Sequence, residues 1–95
     1  MHIVVSWDVA DGIDRDAIVD ALLAVIQPYQ WVRPLTTLYI TRANFAERNL
    51  IIGGMQQVAL AHPGRVNVVV SPVMEGRYDG ALDQTSWQQI NDVTG

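Results

Sequence analysis

The distribution of apolar and polar positions predicts a strand at the start of the chain. Residues His2 to Trp7 are mostly apolar and β-branched, and Asp8 follows them. Valine and isoleucine have restricted χ1 rotamers and pack well on a pleated surface, so this segment favours a strand. Its apolar residues show little alternation, which predicts burial on both faces and a central place in a sheet. Asp8 falls where the strand leaves the sheet, a position from which functional side chains are often displayed.

Apolar residues at helical spacing predict a first helix over about 14–27. Its apolar positions recur every three or four residues, whereas Asp20 and Gln27 lie elsewhere on the helical wheel. Asp14 is placed to cap the N-terminus by accepting hydrogen bonds from free amides of the first turn. Pro28 then ends the helix, because proline has no amide donor and clashes with the preceding turn.

A second helix is predicted to begin after Asn44. Asn44 and Glu47 have the spacing of a capping box, in which each side chain accepts a hydrogen bond from the other residue's amide. The His-Pro-Gly sequence at 62–64 ends the segment. Each glycine of the pair at 53–54 lowers helix stability by about 1 kcal/mol relative to alanine. The pair therefore predicts either close packing on the sheet or a kink.

Three further segments have the character of strands. Residues 29–32 are short and aromatic, and Pro34 confines them to an edge or a bend. Residues 36–41 alternate between polar and apolar, so we expect a half-exposed strand, joined to the preceding one by a hairpin through 33–35. Residues 65–72 are rich in valine and complete the set of predicted strands.

The resulting order is strand-helix-strand followed by strand-helix-strand, which is the ferredoxin-like βαββαβ arrangement. We predict an α+β sandwich over residues 1–75, with a four-stranded antiparallel sheet, the first and third strands central, and two helices on one face. Residues 76–95 form a tail, with a short helix over 83–92 that carries Trp87. This tryptophan must pack on the domain or on a partner. The second face of the sheet must also be covered, either by the tail or by a second copy of the chain. We predict a homodimer.

Composition changes this picture mainly through charge. The 95 residues suit one domain with a single core. Six arginines, no lysine and ten acidic residues give a net charge of −4, which repels phosphate backbones and disfavours nucleic acid as a general partner. No cysteine is present to form a disulfide or a thiolate metal site. No signal-peptide pattern and no bilayer-spanning apolar segment are visible, so we expect a cytoplasmic protein without membrane contact.

The order of these segments resembles a known group of proteins. A first strand that ends in Asp8, a helix, and an aromatic segment leading into Thr-Thr-Leu-Tyr-Ile at 36–40 are together similar to the small ferredoxin-like CRISPR-associated family used in spacer acquisition. The chain looks even more like the uncharacterised SinR-like relatives, in which a tryptophan near the second strand and a Thr-aromatic third strand recur. Virulence-associated protein D toxins, which are ribonucleases, belong to the same broad group. The resemblance covers about residues 1–75.

This resemblance implies two alternative functions. In the CRISPR-associated family the aspartate closing the first strand pairs across the dimer axis to hold a divalent metal. Asp8 would then be the catalytic and metal-binding residue of a metal-dependent endoribonuclease or toxin that uses Mg²⁺ or Mn²⁺. The family also acts as a dimeric scaffold, which requires no catalysis and no cofactor. An acidic chain with few basic residues around Asp8 favours the scaffold, a homodimeric interaction module that docks a protein or a nucleic-acid end.

Each candidate site residue also has a structural interpretation. Asp8 suits a cap on a loop amide as well as a metal ligand. The candidate contacts for a nucleic acid or a partner are Arg33, Arg42, Trp31 and Tyr39. Their aromatic rings suit stacking on bases, but equally burial in the core or in a dimer interface. His2 and His62 belong to no visible catalytic triad.

Overall fold

The computed structural model describes residues 1–95, and the elements follow the predicted order. They are β1 (His2–Val9), α1 (Arg15–Ile26), β2 (Trp31–Leu35), β3 (Leu38–Arg42), α2 (Phe45–Ala61), β4 (Val66–Val70) and α3 (Gln84–Thr94). The predicted α+β ferredoxin-like fold is confirmed. None of the three helices combines the length and the hydropathy that a transmembrane span requires.

The four strands form one antiparallel sheet in the order β2-β3-β1-β4. β1 is central, as its continuous apolar run predicts, and its Val5 lies between Tyr39 of β3 and Val70 of β4. β3 is the second central strand. β2 and β4 are therefore the two edges of the sheet.

The main core lies between the sheet and the layer formed by α1 and α2. Alternate residues of β1 point toward the helices, and Ile3 and Val5 are fully buried there. The helices pack on each other at Gly54, where an ideal Cβ would come within 2.7 Å of a Val25 methyl carbon. The glycine pair thus permits a close helix–helix approach rather than close packing on the sheet. An ideal Cβ on Gly53 meets no atom within 4 Å.

The tail forms a second core on the opposite face of the sheet. Ile90 and Val93 of α3 are buried against Val32 and Ile40, and Trp87 packs beside them. α3 contacts β2 and β3 and so covers that half of the sheet. On the other half, over β1 and β4, Asp8, Asn67 and Val69 remain exposed. The tail therefore supplies part of the cover that the sheet needs.

Two local predictions are wrong. The hairpin connection consists of Thr36 and Thr37, whereas 33–35 belong to β2, because an edge strand tolerates the missing amide of Pro34. β3 is covered on both faces rather than half-exposed. Its Tyr39 is buried under α1 and α2, and its Ile40 is buried under α3, a cover that alternation within the strand does not reveal.

Of the two predicted N-terminal caps, the one at Asn44 forms and the one at Asp14 does not, while α3 has a cap that was not predicted. Asp14 makes no side-chain capping bond to α1, because its carboxylate accepts a hydrogen bond from the Arg65 guanidinium at 2.8 Å. Asn44 and Glu47 form the predicted capping box, with distances of 2.8 and 2.9 Å. Asp83 caps α3 by accepting a hydrogen bond from the Ser86 amide at 2.7 Å.

Candidate functional site

Asp8 lies at the end of β1 on the sheet face that α1 and α2 leave uncovered. Its side chain is exposed and accepts no hydrogen bond, so the predicted cap on a loop amide does not form. Across the strand pair it faces Asn67 of β4, and Ser6 precedes it on the same face. Both neighbours are uncharged. Asp8 is therefore a single carboxylate presented to solvent by a rigid strand.

The residues around Asp8 do not fit a divalent cation within one chain. Mg²⁺ and Ca²⁺ sites draw on several oxygen ligands, of which carboxylates provide the charge. Nowhere in the chain do three His, Cys, Asp or Glu side chains come close enough to form such a site. Any metal at Asp8 would need further ligands from a second molecule.

The predicted contact residues Trp31 and Arg33 lie on β2, along an open groove of about 590 Å³. The end of α1, the β2 edge and α3 form this groove, which we call the β2 groove. It is lined by Gln27, Tyr29, Gln30, Trp31, Val32, Arg33, Gln89, Asp92 and Val93. The lining mixes amide groups, one arginine, one aspartate and aromatic surface. Such a surface can contact a polar partner, but it contains no pair of groups positioned for acid–base catalysis.

Tyr39 is part of an aromatic stack beneath this groove rather than an exposed contact. Its ring stacks on Trp7 with centroids 4.4 Å apart and meets Trp31 at 5.5 Å in a tilted arrangement. The Arg33 guanidinium carbon lies 5.6 Å from the Tyr39 centroid, within the range of a cation–π contact. Tyr39 is only 2% exposed, so it offers no face to a nucleic-acid base. Its role is to support Trp31 and Arg33 from below.

Arg42 is also engaged within the chain. Its guanidinium donates to the backbone carbonyls of Val93 and Asp92, at 3.0 and 2.9 Å. These carbonyls lie at the C-terminus of α3, where the helix dipole favours a positive charge. Arg42 therefore fixes the tail helix to the sheet with two of its five donors.

Arg48 and Arg65 are also engaged in hydrogen bonds within the chain. The Arg48 guanidinium donates to the Ser71 carbonyl at 2.7 Å, beside the end of β4. Arg65 bonds both Asp14, at 2.8 Å, and the Ala10 carbonyl, at 3.0 Å, and so closes the loop that follows Asp8. The hydrogen bond from Arg65 lowers the pKa of the Asp14 carboxyl. Arg48 and Arg65 therefore hold loops in place within the chain.

The side chain of His2 is buried and does not reach the surface. It has no exposed surface, neither ring nitrogen has a hydrogen-bond partner, and its ring lies 5.2 Å from that of Tyr78. Burial lowers the pKa of the His2 imidazole. The Met1 ammonium lowers it further, and the Glu75 carboxylate raises it. The His2 backbone pairs with Met74, and its ring contacts Tyr78. The imidazole therefore lies between β1 and the start of the tail.

Sequence reasoning did not single out two uncharged surfaces, one on α2 and one at Val69 of β4 on the opposite face of the sheet. No charged residue occurs from 49 to 61 or from 66 to 70, although both segments reach the surface. Leu50, Leu60 and Val69 expose 69, 79 and 71% of their areas. The absence of charge from 49 onward was visible in the sequence. Which of these residues are exposed depends on how α2 sits on the sheet.

The chain matches no protein-family model and no curated protein. It is similar to the crystal structure of protein SP2199 from Streptococcus pneumoniae, with 24% sequence identity and a TM-score of 0.55. The matched region covers 79% of this chain and 89% of that chain. At this identity the similarity supports the ferredoxin-like fold alone.

Proposed function

We propose that this chain is a homodimeric ferredoxin-like interaction or scaffold module, resembling the CRISPR-associated adaptor proteins, without an enzymatic activity of its own. The observation that carries the proposal is the uncharged surface where α2 lies beside β4, lined by Ile52, Met55, Gln56, Val68 and Val70. Contiguous exposed apolar surface marks interaction sites in soluble proteins, and the centres of protein interfaces are depleted in charged residues.

The lack of charge on this surface suits a second copy as the first partner. Two chains of net charge −4 repel each other, and a contact through an uncharged surface keeps their carboxylates apart. The β2 groove, with Trp31 and Arg33, is then available for a further partner. A protein or a nucleic-acid end is the partner class that the resemblance implies.

The size of the particle in solution tests this proposal. Sedimentation velocity at micromolar concentration is expected to give a dimer, with an affinity that changes little with salt because the contact is uncharged. A monomer at every concentration up to the solubility limit would refute the scaffold. A dimer that dissociates steeply as salt is added would show that charged surfaces form the contact instead.

A second candidate function is a metal-dependent endoribonuclease or toxin that uses Asp8 from both subunits. It is favoured by one observation: the Asp8 carboxylate is exposed at a strand end and unengaged. RNA cleavage in Mg²⁺ or Mn²⁺ by the parent chain, lost in Asp8→Asn, would support it. Equal activity of Asp8→Asn and the parent, or no cleavage by the parent, would eliminate it.

A further inference from the structure

The two edges of the sheet are built differently. β2 contains Arg33 and Pro34, which has no amide donor, and its pairing with β3 is irregular between Val32 and Leu35. A charge, a proline and an irregular register are the features by which proteins prevent unwanted pairing at a sheet edge. β4, with the sequence Val-Asn-Val-Val-Val, has none of them. It is an unprotected edge.

The hydrogen bonds to β1 indicate which backbone groups of β4 are free. The Ala10 amide donates to the Arg65 carbonyl, and the Ser71 amide donates to the Val4 carbonyl, both at 2.8 Å. In an antiparallel pair, hydrogen-bonded and non-hydrogen-bonded residues alternate. Residues 65, 67, 69 and 71 therefore direct their backbone groups toward β1. Val66, Val68 and Val70 direct their amides and carbonyls away from the sheet.

We propose that a second copy of the chain pairs with this edge, so that two β4 strands run antiparallel about a twofold axis at Val68. This inference rests on the proposed self-association and specifies where it occurs. In this register Val68 faces the partner's Val68, and Val66 faces the partner's Val70. Every outward amide then meets an outward carbonyl, and the two sheets become one of eight strands. The short uncharged strand is self-complementary in this orientation.

The flank of α2 extends the same contact above the sheet. Phe45, Ile52, Gln56 and Ala59 form one stripe of the helix, on the side away from the α1 contact at Gly54. Arg48 lies beside this stripe, and its guanidinium is bound to the Ser71 carbonyl at the end of β4. Phe45 is 66% exposed. Beside the edge, a groove of about 200 Å³ is lined by Ile52, Met55, Gln56, Val68 and Val70.

A twofold axis perpendicular to the sheet brings the two α2 helices together on one face, because α2 lies above β4 in each copy. Strand pairing alone buries little surface, whereas a specific interface buries about 800 Å² per partner. The uncharged α2 stripe supplies the additional area. Each subunit has a total accessible area of 5908 Å², so an interface of that size is a modest fraction of it.

This pairing has a direct consequence for Asp8. β1 lies one strand in from the edge, so the β1 strands of the two subunits are separated by three strand spacings, about 14 Å. Two carboxylates that share one cation must each place an oxygen within about 2.0–2.6 Å of it. The two Asp8 side chains cannot both do so across such a distance. The β4 dimer and the shared-metal ribonuclease therefore exclude each other.

Disulfide cross-linking tests the register, since the natural chain contains no cysteine. In the proposed pairing, position 67 of one subunit and position 69 of the other are a non-hydrogen-bonded pair, with Cα atoms about 4.5 Å apart, inside the range for a disulfide. Equivalent positions of the two subunits, such as 67 and 67, are about 7–8 Å apart, too far for one. Both Asn67 and Val69 are exposed, so their substitution does not disturb the core.

We expect a mixture of Asn67→Cys and Val69→Cys chains, one carrying a mass tag, to yield a mixed cross-linked dimer on oxidation. Each variant alone is the matched control and should give about tenfold less cross-linked product, because its cysteines lie beyond disulfide reach. A dimer by sedimentation with no preferential mixed cross-link would overturn the β4 register while leaving the scaffold proposal intact. A monomer by sedimentation would overturn both.

Discussion

The adjacent glycines of α2 should respond to alanine substitution with opposite signs. Gly53→Ala places a methyl group in open space, so the variant gains the helix propensity of alanine, about 1 kcal/mol. Gly54→Ala gains the same amount but puts its Cβ 2.7 Å from a Val25 methyl carbon. Val25 is β-branched and stiff at χ1, so it cannot rotate away easily. Overpacking of this kind costs about 1–3 kcal/mol, and the net effect at Gly54 is a loss of up to about 2 kcal/mol.

Urea denaturation at one fixed protein concentration measures the difference, since the proposed self-association would make the stability depend on concentration. For a protein of this size the m value is about 1 kcal/mol/M, so the two midpoints should differ by roughly 1–3 M. In a Val25→Ala background the clash is absent, and Gly54→Ala should then stabilise like Gly53→Ala. If Gly54→Ala stabilises the parent chain as much as Gly53→Ala does, the close approach of α1 and α2 is wrong.

Three further predictions concern single contacts. Arg42→Ala should destabilise α3 by about 1–3 kcal/mol, because two charge-assisted hydrogen bonds to its C-terminal carbonyls are lost; amide hydrogen exchange should accelerate in α3 and not in α1. Asp14 has a lowered pKa, so its contribution to folding stability is present above pH of about 3.8 and is lost as the pH falls through the pKa of the folded state. Asp14→Asn should have a lower free energy of unfolding than the parent at pH 7, and the two values should converge in acid. His2 also has a lowered pKa, so unfolding takes up a proton and stability should fall as the pH drops below about 6.5. In His2→Phe the urea midpoint should lose this component of its pH dependence. If the urea midpoint changes with pH equally in the parent and in His2→Phe, the assignment to His2 is wrong.

The parts of the fold that the sequence predicts are those specified by local physics. The capping box at Asn44 and Glu47 involves residues three positions apart, and the structure forms it. β1 is a run of β-branched residues, and its central place follows from that run. A short helix is predicted over 83–92, and Trp87 and Ile90 of the observed helix pack on the sheet.

The parts that could not be predicted depend on contacts between distant segments. Asp14 has the position of a cap, but Arg65, 51 residues away in sequence, takes its carboxylate. Arg42 has the character of a phosphate contact, but α3, about 50 residues later, takes two of its donors. Tyr39 has the character of a base-stacking residue, but Trp7 and Trp31 enclose it. In each case a polar or aromatic side chain was correctly judged to need a partner, and the partner could be identified only from the tertiary structure.

The choice between the β4 dimer and a shared-metal ribonuclease reduces to one distance, that between the two Asp8 positions of a dimer. In the β4 pairing a spin label at Asp8→Cys lies no closer to its counterpart than about 14 Å, whereas a label at Val69→Cys lies about 7–8 Å from its counterpart. The Val69 label should therefore show strong dipolar broadening in its electron paramagnetic resonance spectrum, and the Asp8 label should show little. In a dimer whose Asp8 carboxylates share a cation the order reverses, because the label at Asp8 lies on the axis. Strong broadening at Asp8 with none at Val69 would overturn the β4 dimer and favour the ribonuclease, since it would bring together the two carboxylates that one chain alone cannot supply.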